Sequence, residues 1–150
     1  KGQLQLLCDD LYILAQNYDR VVLDLGSGIE KSMTFLAGCS GTVLIICNDE
    51  PTSLADAYAL IKIISSADNA PRIKIVVNQA NTVKEGERTF QTLVKACQNF
   101  LNVDLFLGGI IHQDSHVKEC LKMQIPLLTA FPGSVVAEDV RKLADGLMRE

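Results

Sequence analysis

Asp24 sits near the end of a short apolar run, Val-Val-Leu-Asp-Leu, and Gly26 and Gly28 follow it. An aspartate at the end of a buried strand can hold a magnesium ion, usually through water. Glycines just beyond it free the backbone to approach a γ-phosphate closely. The same residues also describe an ordinary strand-to-helix turn with a capping aspartate, and D-x-G-x-G alone does not separate the two. Asn78 follows a second apolar run. Its amide offers a donor and an acceptor, which suits a purine edge, but a turn residue at a strand end reads the same way. Asn48, Asp49, Glu50, Pro51 and Thr52 follow a third run, and Ile111 to Asp114 end a fourth. His112 and His116 stand four apart, the spacing of a metal pair. No third ligand has suitable spacing, and Asp114 reads better as a helix cap. No serine occupies a G-x-S-x-G elbow and no cysteine has a histidine with an orienting partner, so no triad is expected.

The elements that would position these residues can be read from periodicity. Leu4, Leu7, Cys8, Leu11, Leu14, Ala15 and Tyr18 recur at helical spacing. Residues 21–25 predict a strand, 26–28 a turn and 30–38 a short helix. Thr42–Cys47 predicts a second strand. Pro51 marks entry to a helix capped by Thr52 or Ser53, with Leu54, Ala57, Tyr58, Ile61 and Ile64 on its apolar face. A strand over 73–77, a helix over 85–101, a strand over 105–111, a short helix over 115–122 and a short strand over 126–130 follow. Ser134 caps a last helix carrying Val136, Val140, Leu143, Ala144 and Leu147. Strands alternate with helices, and the strands are continuous apolar runs. That predicts an α/β class fold, a mostly parallel sheet with helices on both faces. Ligands of such sheets bind beyond the carboxyl ends of the strands, where the four polar clusters fall.

The 150 residues amount to a single domain, 48 % hydrophobic and 21 % charged. The net charge of −4 gives no pull toward nucleic acid, and Arg141, Lys142 and Arg149 are too few for a basic patch. No stretch approaches the roughly 18 apolar residues of a membrane span, and no signal peptide is visible. Cys8, Cys39, Cys47, Cys97 and Cys120 show no CxxC or metal spacing and are expected to be reduced core thiols. A cytoplasmic setting is the expected location. Both ends fall inside helical patterns and read as cuts or ordered limits.

Taken in order, YDRVVLDLGSGI, NDEPTSLADAYALIK, VVNQA with EGERTF, LGGIIHQD and PLLTAFPGS resemble the MinD/ParA family of ATPases. EPTSLADAYALIK resembles the branch of that family that sets flagellar number and placement. The resemblance spans nearly all 150 residues. It implies a deviant P-loop NTPase that binds ATP or ADP with Mg, dimerises face to face around the nucleotides, and hydrolyses slowly. Mapped onto this chain, Asp24 would be the catalytic, metal-side aspartate, holding Mg through water. Gly26 and Gly28 would sense the γ-phosphate and Asn78 would read adenine. Ile111, His112, Gln113 and Asp114 would pack on the base, and Glu50, Pro51 and Thr52 would lie at the nucleotide's outer edge. The family usually has I-P-x-D where this chain has Ile111-His112-Gln113-Asp114.

The phosphate side departs further. No glycine here is followed by lysine, so G-x-x-x-x-G-K-[ST] is absent. The resemblance is therefore to the C-terminal portion of such an ATPase, an incomplete P-loop type without its P-loop strand. The chain alone is expected to hold no ATP, ADP or Mg and to hydrolyse nothing. In the family that strand lies between the strand ending at Asp24 and Thr42–Cys47. The sheet is therefore expected to rearrange, or to pair as a homodimer or strand-exchanged oligomer. Implied partners are flagellar assembly or positioning proteins, with peripheral contact of the full-length protein at the inner face of the cell membrane as an option and no nucleic acid. The other readings are a cell-division or chromosome-partition ATPase and a nucleotide-free protein-interaction module of the same fold. A response-regulator receiver is disfavoured, because Asp9-Asp10 sit inside a helical pattern.

Overall fold

The computed structural model describes residues 2–26, 28, 30–67 and 70–149. A three-stranded parallel sheet runs in the order β1 (Thr42–Cys47), β2 (Arg72–Ala80), β3 (Phe106–His112). The middle strand shows why its sequence does not alternate. Ile73, Ile75, Val76 and Val77 are all buried, because both faces of β2 are covered.

Parallel neighbours need crossover connections, and α3 (Pro51–Ser65) and α4 (Val83–Leu101) supply them. Both pack on one face. Ala57, Ile61 and Ile64 of α3 and Leu93 and Cys97 of α4 bury against Ile45, Cys47, Ile73, Ile75 and Val77. Those strand residues are two apart, the period of one pleated face. Burying a side chain such as Ile61 or Ile75 stabilises the fold by about 1.5–3 kcal/mol. On the other face α7 (Val135–Met148) sets Val136 against Val76 and Ile111, with Val140 and Leu143 beside them. Ile46 is the register partner of Val76 and shares that face, yet it is 64 % exposed. α1 (Gln3–Ala15) packs on α2 (Lys31–Gly38), and α2 packs on α3. α5 (Ser115–Met123) and α6 (Leu127–Ala130) connect β3 to α7.

Local chemistry sets the ends of the helices. Thr82 Oγ1 accepts the Glu85 N–H at 3.2 Å, and Asn81 donates to the Glu85 carboxylate at 3.1 Å. Asn102 (φ 54°) and Gln124 (φ 55°) stop α4 and α5 in the left-handed conformation. Ser134 caps α7 through Ala137, as expected.

Several expectations are corrected. Residues 21–25 form no strand, and Val22 is 85 % exposed. Their β propensity is realised only beside a neighbouring strand, and among the described residues no backbone group of 19–26 pairs with another. Among the described residues the sheet ends at β1, and the strand expected to carry Asp24 does not form. Residues 126–130 are a helical turn, not a strand. Pro126 starts it and its carbonyl accepts from Thr129 and Ala130, both at 3.0 Å. Neither Thr52 nor Ser53 caps α3. Glu50 stands at the N-cap with no side-chain bond, Pro51 opens the first turn, and the Ser53 hydroxyl instead accepts the Asn48 N–H at 3.1 Å. Cys8 and Cys39 are bridged as a disulfide, while Cys47, Cys97 and Cys120 are free and buried. Proximity in the fold, invisible in their spacing of 31 residues, brings that pair together.

Candidate functional site

Three of the four polar clusters share one edge of the molecule. β1, β2 and β3 run parallel, so the segments at their carboxyl ends emerge side by side. Each is held by a local device. After β1, Asn48 Oδ1 accepts the Glu50 N–H at 3.2 Å, which sets the turn into α3 and leaves Glu50, Pro51 and Thr52 exposed at its start. At the end of β2, Asn78 lies within the strand, which is longer than its apolar run suggests. Its Oδ1 accepts the Gln79 N–H at 3.0 Å, and Gln79 has φ 59°. The β2–β3 register slips between Val77 and Ala80. Past the slip, the Gln113 N–H donates to the Ala80 carbonyl at 2.9 Å, tying the second and third loops together.

The third loop, after β3, is anchored from behind. Ile111 is buried against α7. Asp139 of α7 is buried, and its Oδ2 accepts both the His112 backbone N–H at 2.9 Å and His112 Nδ1 at 2.7 Å. A carboxylate oxygen only accepts, so Nδ1 is the donor of this contact. Where the resembled family has a proline, this loop is therefore fixed by a carboxylate on a helix. Asp114 caps α5, accepting the His116 N–H at 2.9 Å and His116 Nδ1 at 2.7 Å. The His116 backbone N–H, chiefly, holds the Asp114 carboxyl below its ordinary value, and the His116 ring adds to this. The two histidines thus face separate carboxylates, and among the described residues no group of three metal-type ligands forms.

Asp24 is not brought to this edge by the sheet. It lies exposed between α1 and α2, as does Gly26, and Gly28 (φ 125°) uses a conformation that suits glycine. Ser27 and Ile29 of the same loop lie outside the described residues.

The donor set can be tested against an adenine nucleotide with magnesium. Asn78, His112 and Gln113 offer the amide and imidazole groups a base would need, and Asp24 a carboxylate for a hydrated cation. The segments 24–28, 48–52, 78–81 and 111–114 contain no lysine or arginine, and they carry Asp24, Asp49, Glu50 and Asp114. The groups at the edge suit a base; Asp24, the carboxylate for a metal, stands away from that edge, and a polyphosphate finds no counter-charge in these segments.

Asp139 and the Cys8–Cys39 bridge were not legible as candidates in the chain. Asp139 left one trace, a charge set among Val136, Val140 and Leu143 on the apolar stripe of a helix.

The model of the family described as "Cellulose biosynthesis protein BcsQ" matches residues 1–148. The antiactivator FleN of Pseudomonas aeruginosa is 35 % identical over 133 residues, covering 89 % of this chain and 46 % of FleN. The flagellum site-determining protein YlxH of Helicobacter pylori is 28 % identical over 127 residues, covering 84 % of this chain and 42 % of YlxH. The chain spans a little under half the length of these curated relatives. The septum site-determining protein MinD of Pyrococcus horikoshii OT3, solved with Mg-ADP, superposes with a TM-score of 0.73 at 19 % identity, covering 94 % of this chain and 55 % of that one. This last likeness shows the fold.

Proposed function

The chain belongs to the family described as cellulose biosynthesis protein BcsQ, among the MinD/ParA-type ATPases, and from that premise we propose that it forms the base-side and metal-side part of the nucleotide site of a cytoplasmic, ATP-dependent dimerising switch governing flagellar number and placement. One observation carries the nucleotide reading. The loops after β1, β2 and β3 line a single edge, with Asn78 and the His112–Asp114 loop joined through Gln113 and Ala80. The flagellar role rests on the relatives named FleN and YlxH. Cellulose biosynthesis is named in the family description alone.

In this reading Asn78 and the loop Ile111 to Asp114 orient the adenine, with Asp139 positioning His112. Asp24, with Gly26 and Gly28, serves the metal and γ-phosphate side, and Glu50 and Pro51 bound the outer edge. Magnesium, when bound, would neutralise charge on the transferring phosphoryl group. The chain's own loops supply no cation for the phosphates, so the cradle comes from a G-x-x-x-x-G-K-[ST] loop on another segment. Dimerisation around the nucleotide and contact with flagellar proteins or the membrane surface belong to the same proposal.

The test places a strand and P-loop from a MinD/ParA-type ATPase ahead of the chain and titrates fluorescent ADP with Mg²⁺. Saturable binding is expected, weakened about tenfold, or about 1.4 kcal/mol, by Asn78→Ala. A hybrid that melts cooperatively yet binds no nucleotide, or that is indifferent to Asn78→Ala, would overturn the reading. The same null result would support the nucleotide-free interaction module instead.

A further inference from the structure

The five cysteines divide into two chemical classes. Cys47, Cys97 and Cys120 are free and buried, and burial pushes the Cys47 thiol up to about 11. Such thiols are poor nucleophiles. Cys8 and Cys39 form a disulfide, and Cys39 is an exposed residue at the C-cap of α2. The bridge encloses residues 9–38, and with them the whole Asp24–Gly28 loop.

Within the segment the bridge closes, Ala37 ties α2 to the main core, but packing does little to hold α1. Cys8 is the buried residue of α1, while Leu6, Leu7, Tyr12, Ile13 and Leu14 are exposed. An open hollow lined by Gly2, Leu4, Gln5 and Phe35 lies where the start of α1 meets α2. Residues 19–26 make no backbone–backbone hydrogen bond among the described residues. Disulfides in a reducing compartment are mostly transient and regulatory. That premise rests on the cytoplasmic location proposed above.

From these observations we infer that Cys8–Cys39 is a reversible thiol–disulfide switch that tethers α1 to α2 and thereby sets the position of the Asp24 loop. A dithiol reductant opens it. One reductant thiolate attacks one sulfur of the bridge, forming a mixed disulfide and expelling the other cysteine as a thiolate. The second reductant thiol then displaces the first cysteine. The products are two cysteine thiols and the reductant's own disulfide, a transfer of two electrons and two protons. Reduction frees α1, exposes more of its apolar face, and unties the loop, while the sheet and α4, held by the buried core, stay in place.

The experiment uses the purified chain with and without dithiothreitol. Thiol labelling after denaturation should find three thiols in the air-oxidised chain and five in the reduced one. Hydrogen exchange read by mass spectrometry should rise at least tenfold on reduction in peptides from 3–39, with α4 peptides unchanged. Cys39→Ser without reductant should match the reduced chain. Five thiols in the oxidised chain, or equal exchange over 3–39 in both states, would overturn the switch. Because no nucleotide is present, such a failure leaves the nucleotide reading untouched, and failed ADP binding leaves the switch untouched.

Discussion

At the scale of single residues, the buried carboxylate of Asp139 is the structure's main addition. It receives two donors from His112 and so welds the end of β3 to α7. Hydrogen bonds to a charged group contribute about 1.5–3 kcal/mol each, and their loss strands a partly buried N–H. Asp139→Ala should therefore lower stability by about 2–4 kcal/mol in urea unfolding, through a lower midpoint at an unchanged slope. A loss under about 0.5 kcal/mol would show that the pair is incidental. Cys47 allows a pH prediction. Burial disfavours the thiolate and pushes the Cys47 thiol from its ordinary 9.0 up to about 11 in the folded chain. The folded state thus keeps a proton that the unfolded state releases, and stability should fall as pH rises from about 9 toward about 11. Cys47→Ala should remove that part of the alkaline loss in melts run across the window.

At the scale of elements, the contrast lies between the run at 21–25 and the strands that did form. Val-Val-Leu-Asp-Leu reads as a strand much as Thr-Val-Leu-Ile-Ile-Cys does, but among the described residues only the second has a neighbour, β2. Val22→Asp should then change stability by less than about 0.5 kcal/mol, because the side chain is exposed. A buried central strand would lose several times as much, so chemical denaturation of this one variant separates the two arrangements. The opposite holds where α4 crosses β3. A Cβ added at Gly86 would stand 2.6 Å from Ile110 Cγ2, inside contact distance. Gly86→Ala should cost about 1–3 kcal/mol by forcing the helix off the strand, despite alanine's better helix propensity. A stabilised Gly86→Ala chain would mean that α4 sits further from the sheet than described.

At the scale of the whole molecule, the sheet is one-sided in its protection. Both crossover helices cover one face, α7 covers part of the other, and β1 is an edge whose Ile46 faces open space. The edge formed by the loops after β1, β2 and β3 is likewise uneven, with amide and imidazole groups at Asn78, His112 and Gln113 but no lysine or arginine in segments 48–52, 78–81 and 111–114 to meet phosphates. Phosphoryl transfer depends on electrostatic positioning of those phosphates. The purified chain with Mg²⁺ and ATP should release phosphate at no more than the rate of buffer alone. Magnesium-dependent release above that rate, lost in Asp24→Asn, would show that the exposed loop assembles a site without a lysine-bearing P-loop.

Much of the fold was legible because it depends on short-range regularities. Apolar runs of strand length located β1, β2 and β3. Helical spacing located α3, α4 and α7, and Asp114 and Ser134 announced the starts of their helices. The edge where a ligand would bind followed from parallel topology alone. Tertiary structure decided everything that needs a partner distant in the chain. Residues 21–25 form no strand because, among the described residues, no neighbour pairs with them; residues 126–130 are the local exception, coiled because Pro126 starts a helical turn. Cys8 met Cys39 because α1 lies on α2. Asp139 became an anchor because α7 carries it behind β3. A sequence states what each segment prefers, but hydrogen bonds and burial are properties of pairs, and only the folded chain determines which pairs exist.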